Sequence, residues 1–192
     1  MSTKEITVKV TGYDSRTYPS DTSVSSILQD IDSSLADNAV AAMVNGQLWD
    51  WNRSVESDAE LSPVYADSEE GHSVLLHSAA HLMAQSVNKY FPDAQMTIGP
   101  TIENRFYYDF DVETPFSDKD LEKIENGMRE HSAANYSVNR EEIGVKEAKK
   151  LFKGKKETYK IEMIDEFDDD EVISTYTQGD FVDLCRGPHL VS

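Results

Sequence analysis

Asn45-Gly46 stands between two short apolar runs, Ala39 to Val44 and Gln47 to Trp51. An Asn-Gly pair accepts the two left-handed backbone conformations of a type I′ turn, whose twist matches that of paired strands. It therefore predicts that these runs form an antiparallel hairpin. A hairpin must bury one face, and the residues before it supply what covers it. Ile6, Val8 and Val10 alternate with Thr7, Lys9 and Thr11, a half-buried strand over 4–11. After a turn at Asp14-Ser15, a second short strand runs around Arg16 to Tyr18. Asp21 or Thr22 then caps a helix in which Val24, Ile27, Leu28 and Ile31 fall at i, i+3, i+4 and i+7. A last strand, Leu61 to Ala66, gives the order strand-strand-helix-strand-strand-strand. This predicts a small sheet packed on one helix over 1–66, followed by a linker over 67–71 (Asp67 to Gly71).

Residues 72–192 read as a second domain. Its expected elements begin with a helix from His72 to Tyr90, stopped by Pro92, and strands at Gln95 to Ile98 and Arg105 to Val112. A helix capped by Ser117 carries Leu121, Ile124 and Met128, and a lysine-rich helix spans Val145 to Phe152. Tyr159 to Ile164 and Val172 to Thr177 read as strands. The predicted fold class is α+β, with helices laid on an antiparallel sheet.

Charge limits the partners. The 192-residue chain carries a formal net charge of -18, which argues against a broad nucleic-acid binder because phosphate neutralisation needs clustered Lys and Arg. The exception is a segment holding Lys146, Lys149, Lys150, Lys153, Lys155, Lys156 and Lys160, followed by the acidic run Asp165 to Glu171. It reads either as a solvated helix face beside an acidic loop or as a small phosphate-contacting patch. No apolar run reaches membrane-spanning length. Met1 to Ile6 lack the layout of a signal peptide, and one cysteine cannot form an internal disulfide. A soluble, cytoplasmic protein is expected.

The chemistry-bearing residues lie in two short strings, His77-Ser78-Ala79-Ala80-His81 and Cys185-Arg186-Gly187-Pro188-His189. On a helix, residues four apart stack on one face, so His77 and His81 can reach one point. The wheel gathers Leu75, Leu76, Ala79, Ala80, Leu82, Met83, Val87 and Tyr90 into an apolar stripe and puts both histidines on the other side, beside Ala84 and Asn88. The pair is thus expected off the core, as a site or as two solvent-exposed imidazoles. Gly187-Pro188 excludes a regular helix and implies a tight turn, which can present Cys185 and His189 together. Three imidazoles and a thiol can hold a tetrahedral zinc or act on water directly. The residues leave both open.

With their surroundings these strings carry a family resemblance. His77 to Leu82, Ile98-Gly99-Pro100-Thr101-Ile102-Glu103-Asn104, Phe106-Tyr107-Tyr108-Asp109 and Asp183 to His189 resemble the editing domain of bacterial threonyl-tRNA synthetases, a relative of the alanyl-tRNA synthetase editing domain. Residues 1–66 resemble the ubiquitin-like (β-grasp) TGS domain that precedes it. The resemblance implies hydrolysis of mischarged seryl-tRNA(Thr), since serine differs from threonine by one methyl, worth about 1–3 kcal/mol in a pocket. It implies that His77, His81, Cys185, His189 and Lys160 are catalytic, and that Tyr108, Asp183 and Arg186 bind the tRNA's terminal adenosine or the seryl group. No cofactor is expected to be required. Zinc, if bound, would sit on His77, His81, Cys185 and His189.

The implied partners are the 3′ end of tRNA(Thr) carrying serine and the remaining domains of a parent synthetase, with no membrane. No aminoacylation core follows Leu190-Val191-Ser192, so a fragment unable to attach threonine is expected. Two alternatives stand beside this. One is a zinc-dependent freestanding editing protein of the alanyl type. The other is a non-catalytic RNA-binding module.

Overall fold

A computed structural model of the chain describes residues 4–102 and 104–192. Met1 to Thr3, part of the N-terminal reading, and Glu103, part of the Ile98 to Asn104 string, lie outside the described residues. The described residues divide into two compact units, one of residues 4–75 with 187–191 and the other of residues 76–186 with 192.

The first unit contains β1 (Glu5–Val10), β2 (Arg16–Pro19), β3 (Thr22–Ser23), α1 (Val24–Ile31), a single 3₁₀ turn (Ser33–Ala36), β4 (Ala39–Val44), β5 (Gln47–Asp50), β6 (Ser54–Val55) and β7 (Ala59–Tyr65). Five strands form one sheet in the order β2-β1-β7-β4-β5, with β1 and β7 parallel and the remaining pairs antiparallel. Asn45 and Gly46 both have positive φ, as the β4–β5 turn demands. The alternation in β1 buries Ile6, Val8 and Val10 under α1, whose Val24, Ile27 and Leu28 are fully enclosed. Each such aliphatic contributes about 1.5–3 kcal/mol by leaving water. Ser23, one residue past the predicted caps, accepts from the Ser26 amide, because Thr22 and Ser23 first pair with β6 as a short ribbon. This is a β-grasp sheet closed over one helix.

The unit division falls inside α2 (Glu69–Tyr90), which starts three residues before the predicted His72, within the predicted linker. Ser68 provides the early start: its hydroxyl accepts from the Gly71 amide and donates to the Tyr65 carbonyl. A Cβ on Gly71 would lie 1.9 Å from that carbonyl oxygen, so only glycine fits.

The second unit continues with β8 (Gln95–Met96), β9 (Thr101–Ile102), β10 (Arg105–Phe106), β11 (Phe110–Asp111), α3 (Asp118–Ala134), β12 (Val138–Gly144), α4 (Val145–Lys155), α5 (Thr158–Ile164), β13 (Val172–Gln178) and β14 (Phe181–Leu184). The α+β reading is correct. An antiparallel sheet β12-β13-β14 carries α4 and α5 through Val145, Ala148, Phe152, Ile164 and Ile173. Two-stranded ribbons β9–β10 and β8–β11 replace the longer strands expected around them. Ser117 caps α3 reciprocally with Asp120, as placed from sequence.

Two sequence expectations are corrected here. The predicted strand Tyr159 to Ile164 is α5, a helix whose buried residues, Lys160 and Ile164, are four apart. A buried lysine does not register in an apolar periodicity, so the β-branched and aromatic residues around it suggest a strand. The α2 stripe is also displaced: Ala80, His81, Ala84, Gln85, Ser86 and Val87 are buried, while Leu82 and Met83 are half-buried. His81 therefore lies on the core face. The lysine-rich segment, for which the sequence left two readings open, pairs Lys146 with Asp169 and Lys149 with Asp165, so that part of it is balanced by the acidic run that follows.

Candidate functional site

The site in the second unit is built by matching a helix to a strand. Along α2, His77, His81 and Gln85 recur every four residues, a rise of about 6 Å. Along β14, Phe181, Asp183 and Cys185 share one face, about 6.6–6.8 Å apart. The pairing with β13 extends past the strand end, because the Cys185 amide donates to the Ser174 carbonyl. The near-equal spacings let successive rungs meet. Cys185 Sγ lies 3.2 Å from His77 Nε2, and His81 Nε2 lies 3.6 Å from Asp183 Oδ2. The His81 ring meets Phe181 edge-on at 6.1 Å, and Gln85 Nε2 donates to the Gln178 carbonyl at 3.0 Å. The two imidazoles are themselves edge-to-face, with ring centres 5.2 Å apart.

Asp183 is the hub. It is 1% exposed, and its Oδ1 accepts from Lys160 Nζ at 2.7 Å and from the Leu184 amide at 2.8 Å. Tyr108 donates its hydroxyl proton to Oδ2 at 2.7 Å and accepts from Lys160 Nζ at 3.1 Å. Lys160, 2% exposed, thus spends its charge on a carboxylate and a phenol. Burial opposes a charge on Asp183, but Lys160, His81 and Tyr108 together hold its carboxyl below the ordinary carboxylate range. Burial and the negative charge of Asp183 push the Tyr108 hydroxyl far upward, so it remains a proton donor.

Burial also governs His81. It lowers the imidazole to about 4, with His77 and Lys160 adding to the effect and Asp183 opposing it. His81 is therefore a neutral imidazole near pH 7, able to hold a water or take a proton.

Tyr108 also packs in the apolar core, besides its bonds to Asp183 and Lys160. Its ring stacks on Phe110 at 5.0 Å and packs with Ala80, Ala84, Met96 and Phe181. Gly99 makes room for it, since a Cβ there would stand 2.2 Å from the Tyr108 ring.

The structure thus brings together His77, His81, Cys185, Lys160, Tyr108 and Asp183. Arg186 is exposed, beyond the buried row. His189 belongs to the segment 187–191 grouped with the first unit, where its backbone amide donates to Asp50 Oδ1 at 3.0 Å. Sequence reasoning missed Gln85 and Glu157. Gln85 extends the i, i+4 series of the histidines. Glu157 precedes Lys160 by three residues and is 4% exposed, its only signal being that helical spacing.

His77, His81 and Cys185 can each offer one ligand atom, all within 4.8 Å of one another. Two imidazoles and a thiol are a donor set that suits zinc with an open position, and a neutral His81 is in the protonation state a ligand needs. The residues fit the metal by chemistry. Among the described residues, no helix is long and apolar enough to cross a membrane.

A family model described as the TGS domain matches residues 7–62. A threonine–tRNA ligase of Symbiobacterium thermophilum is 44% identical over 177 residues, 92% of this chain and 27% of the relative. Those of Citrifermentans bemidjiense and Hahella chejuensis are 45% and 46% identical, over 97% and 92% of the chain and 29% and 28% of the relatives. The chain spans less than a third of the length of these curated relatives. It carries a TGS domain and is homologous to the N-terminal region of the bacterial threonyl-tRNA synthetases.

Proposed function

We propose that this chain is an editing hydrolase that cleaves the ester of serine mischarged onto tRNA(Thr). The observation that carries the reading is the buried row in which neutral His81 and the Lys160 ammonium share Asp183, one turn from the His77–Cys185 pair. Homology to the N-terminal region of threonine–tRNA ligases supports a tRNA-linked substrate.

In hydrolysis, a water oxygen bonds to the acyl carbon and loses a proton, while the ribose oxygen leaves and gains one. His81, neutral at working pH, orients the water and takes its proton. Lys160 supplies positive charge for the oxyanion, in a setting where low dielectric strengthens it. Asp183 and Tyr108 hold that ammonium in place and line the pocket for the seryl group and terminal adenosine. Cys185 and His77 orient each other beside the water, and His189, four residues beyond Cys185 in the chain, is proposed as the fourth member. Arg186 is proposed to meet the tRNA outside the pocket.

Hydrolysis of Ser-tRNA(Thr) and Thr-tRNA(Thr) in parallel tests the reading, with His77→Ala, His81→Ala and Cys185→Ala beside the parent chain. Ser-tRNA(Thr) turnover that falls in the variants supports it, and unchanged turnover in all three overturns it. A second reading, zinc-dependent hydrolysis, is favoured by the spacing of the three donor atoms. Bound zinc would supply Lewis acidity at those residues. Activity lost to a chelator and restored by zinc selects that reading, and chelator-resistant activity selects the metal-free one. Binding of tRNA without turnover identifies a docking module.

A further inference from the structure

Glu157 is a buried carboxyl that the reaction above does not use. It is the N-cap residue of α5, three positions before Lys160, and its Oε2 accepts from the Met96 amide of β8 at 3.4 Å. Three neighbouring hydrogen bonds fix the same end of α5 to the β8–β11 ribbon: Gln95 Oε1 accepts from both the amide and the hydroxyl of Thr158, and the Tyr159 hydroxyl donates to Asp111. Lys160 is carried by the helix these contacts seat.

The charge count makes Glu157 more than a strut. Glu157 and Asp183 are two buried carboxyls, and Lys160 is the only buried lysine or arginine among the described residues. Asp183 holds the ammonium directly, whereas Glu157 acts on it through space from the neighbouring turn.

We propose that Glu157 is a positioning residue for Lys160, seating α5 through the Met96 amide and setting how much of the ammonium's charge is available to the oxyanion. The inference rests on the hydrolytic reading above. Burial pushes the Glu157 carboxyl above its ordinary value and Asp183 adds to this, while the Met96 amide, Lys160 and Lys155 pull the other way. An ionised Glu157 competes with the oxyanion for Lys160, and a protonated one does not.

Steady-state hydrolysis of Ser-tRNA(Thr) by the whole chain, measured from pH 5 to 9, tests this with Glu157→Ala and Glu157→Gln. Glu157→Ala is expected to lower kcat about tenfold with KM unchanged, less than the roughly 10²–10³ for loss of an oxyanion-stabilising group itself. Glu157→Gln keeps an acceptor for the Met96 amide, so it is expected to recover most of kcat. It is also expected to abolish an inflection in the kcat–pH profile that lies above the ordinary glutamate range in the parent. Unchanged kcat in Glu157→Ala, or the same inflection in Glu157→Gln, overturns the proposal. A parent chain that hydrolyses nothing overturns the hydrolytic reading instead. In that case the Lys160 Nζ resonance in NMR decides on Glu157: shifted in Glu157→Ala and restored in Glu157→Gln supports it, and unmoved in both overturns it.

Discussion

The two units solve their interiors differently. In the first, α1 and the five-stranded sheet enclose an aliphatic and aromatic cluster, from Ile6 and Val8 to Leu28 and Trp51. In the second, His81, Gln85, Ser86, Glu157, Lys160, Thr175 and Asp183 are buried among the apolar side chains. Outside the second unit, the one other buried polar side chain among the described residues is His189. Desolvating such groups costs free energy that a hydrocarbon core would not lose, and the mutual contacts of Lys160, Asp183 and Tyr108 offset part of it. A fold built only for stability has no use for that arrangement. The first unit has an apolar core, and the second buries charge within its core.

That contrast can be broken first at the ion pair. Replacing Lys160 with Met, or Asp183 with Leu, leaves its partner buried and uncompensated, and each is expected to destabilise the chain by about 3–5 kcal/mol in urea unfolding. The double variant should recover most of this loss yet remain inactive on Ser-tRNA(Thr). A double variant as unstable as either single one would mean that the charges hold the fold rather than serve the site.

Leu28→Ala provides the opposite case. It opens a cavity in the apolar core and is expected to cost about 2–5 kcal/mol in the same unfolding measurement. Hydrolysis by the fraction still folded should be unchanged. Loss of activity in that fraction would show that the first core does more than support.

The third effect depends on pH. The native state keeps His81 near 4, against about 6.5 in the unfolded chain. Below pH 6.5 the unfolded state takes up the proton first, so His81 costs stability as pH falls from about 6.5 to about 4, reaching roughly 3 kcal/mol in full. His131, also lowered by burial, adds in the same direction. The depressed Asp183 carboxyl loses its contribution only at still lower pH. Urea midpoints from pH 7 to 4 should therefore fall, and fall less steeply in His81→Gln. Equal slopes would place the titration elsewhere.

The same contrast explains how much could be read beforehand. β1, the Asn45-Gly46 hairpin and α1 were legible because each puts apolar residues on one face at the period of its own backbone. The Ser117 cap was legible because it is local. In the second unit the wheel on α2 gave the spacing of His77 and His81 but not their side, since the face that goes inward there is partly polar. The α5 segment reads as a strand for the same reason. β12, with the sequence Val-Asn-Arg-Glu-Glu-Ile-Gly, is an edge strand with exposed polar residues and gives almost no alternation. The candidate residue types were visible one by one, but Asp183 as the group joining Lys160, Tyr108 and His81 exists only once β14 lies along α2.

The central claim is that this buried polar row hydrolyses a mischarged ester. Deacylation of Ser-tRNA(Thr) by the whole chain, set against His81→Ala and against Thr-tRNA(Thr), tests it most directly. The account predicts rapid release of serine by the parent, much slower release by the variant, and threonine left attached. Equal release of serine by parent and variant, or no release above the uncatalysed rate, contradicts it.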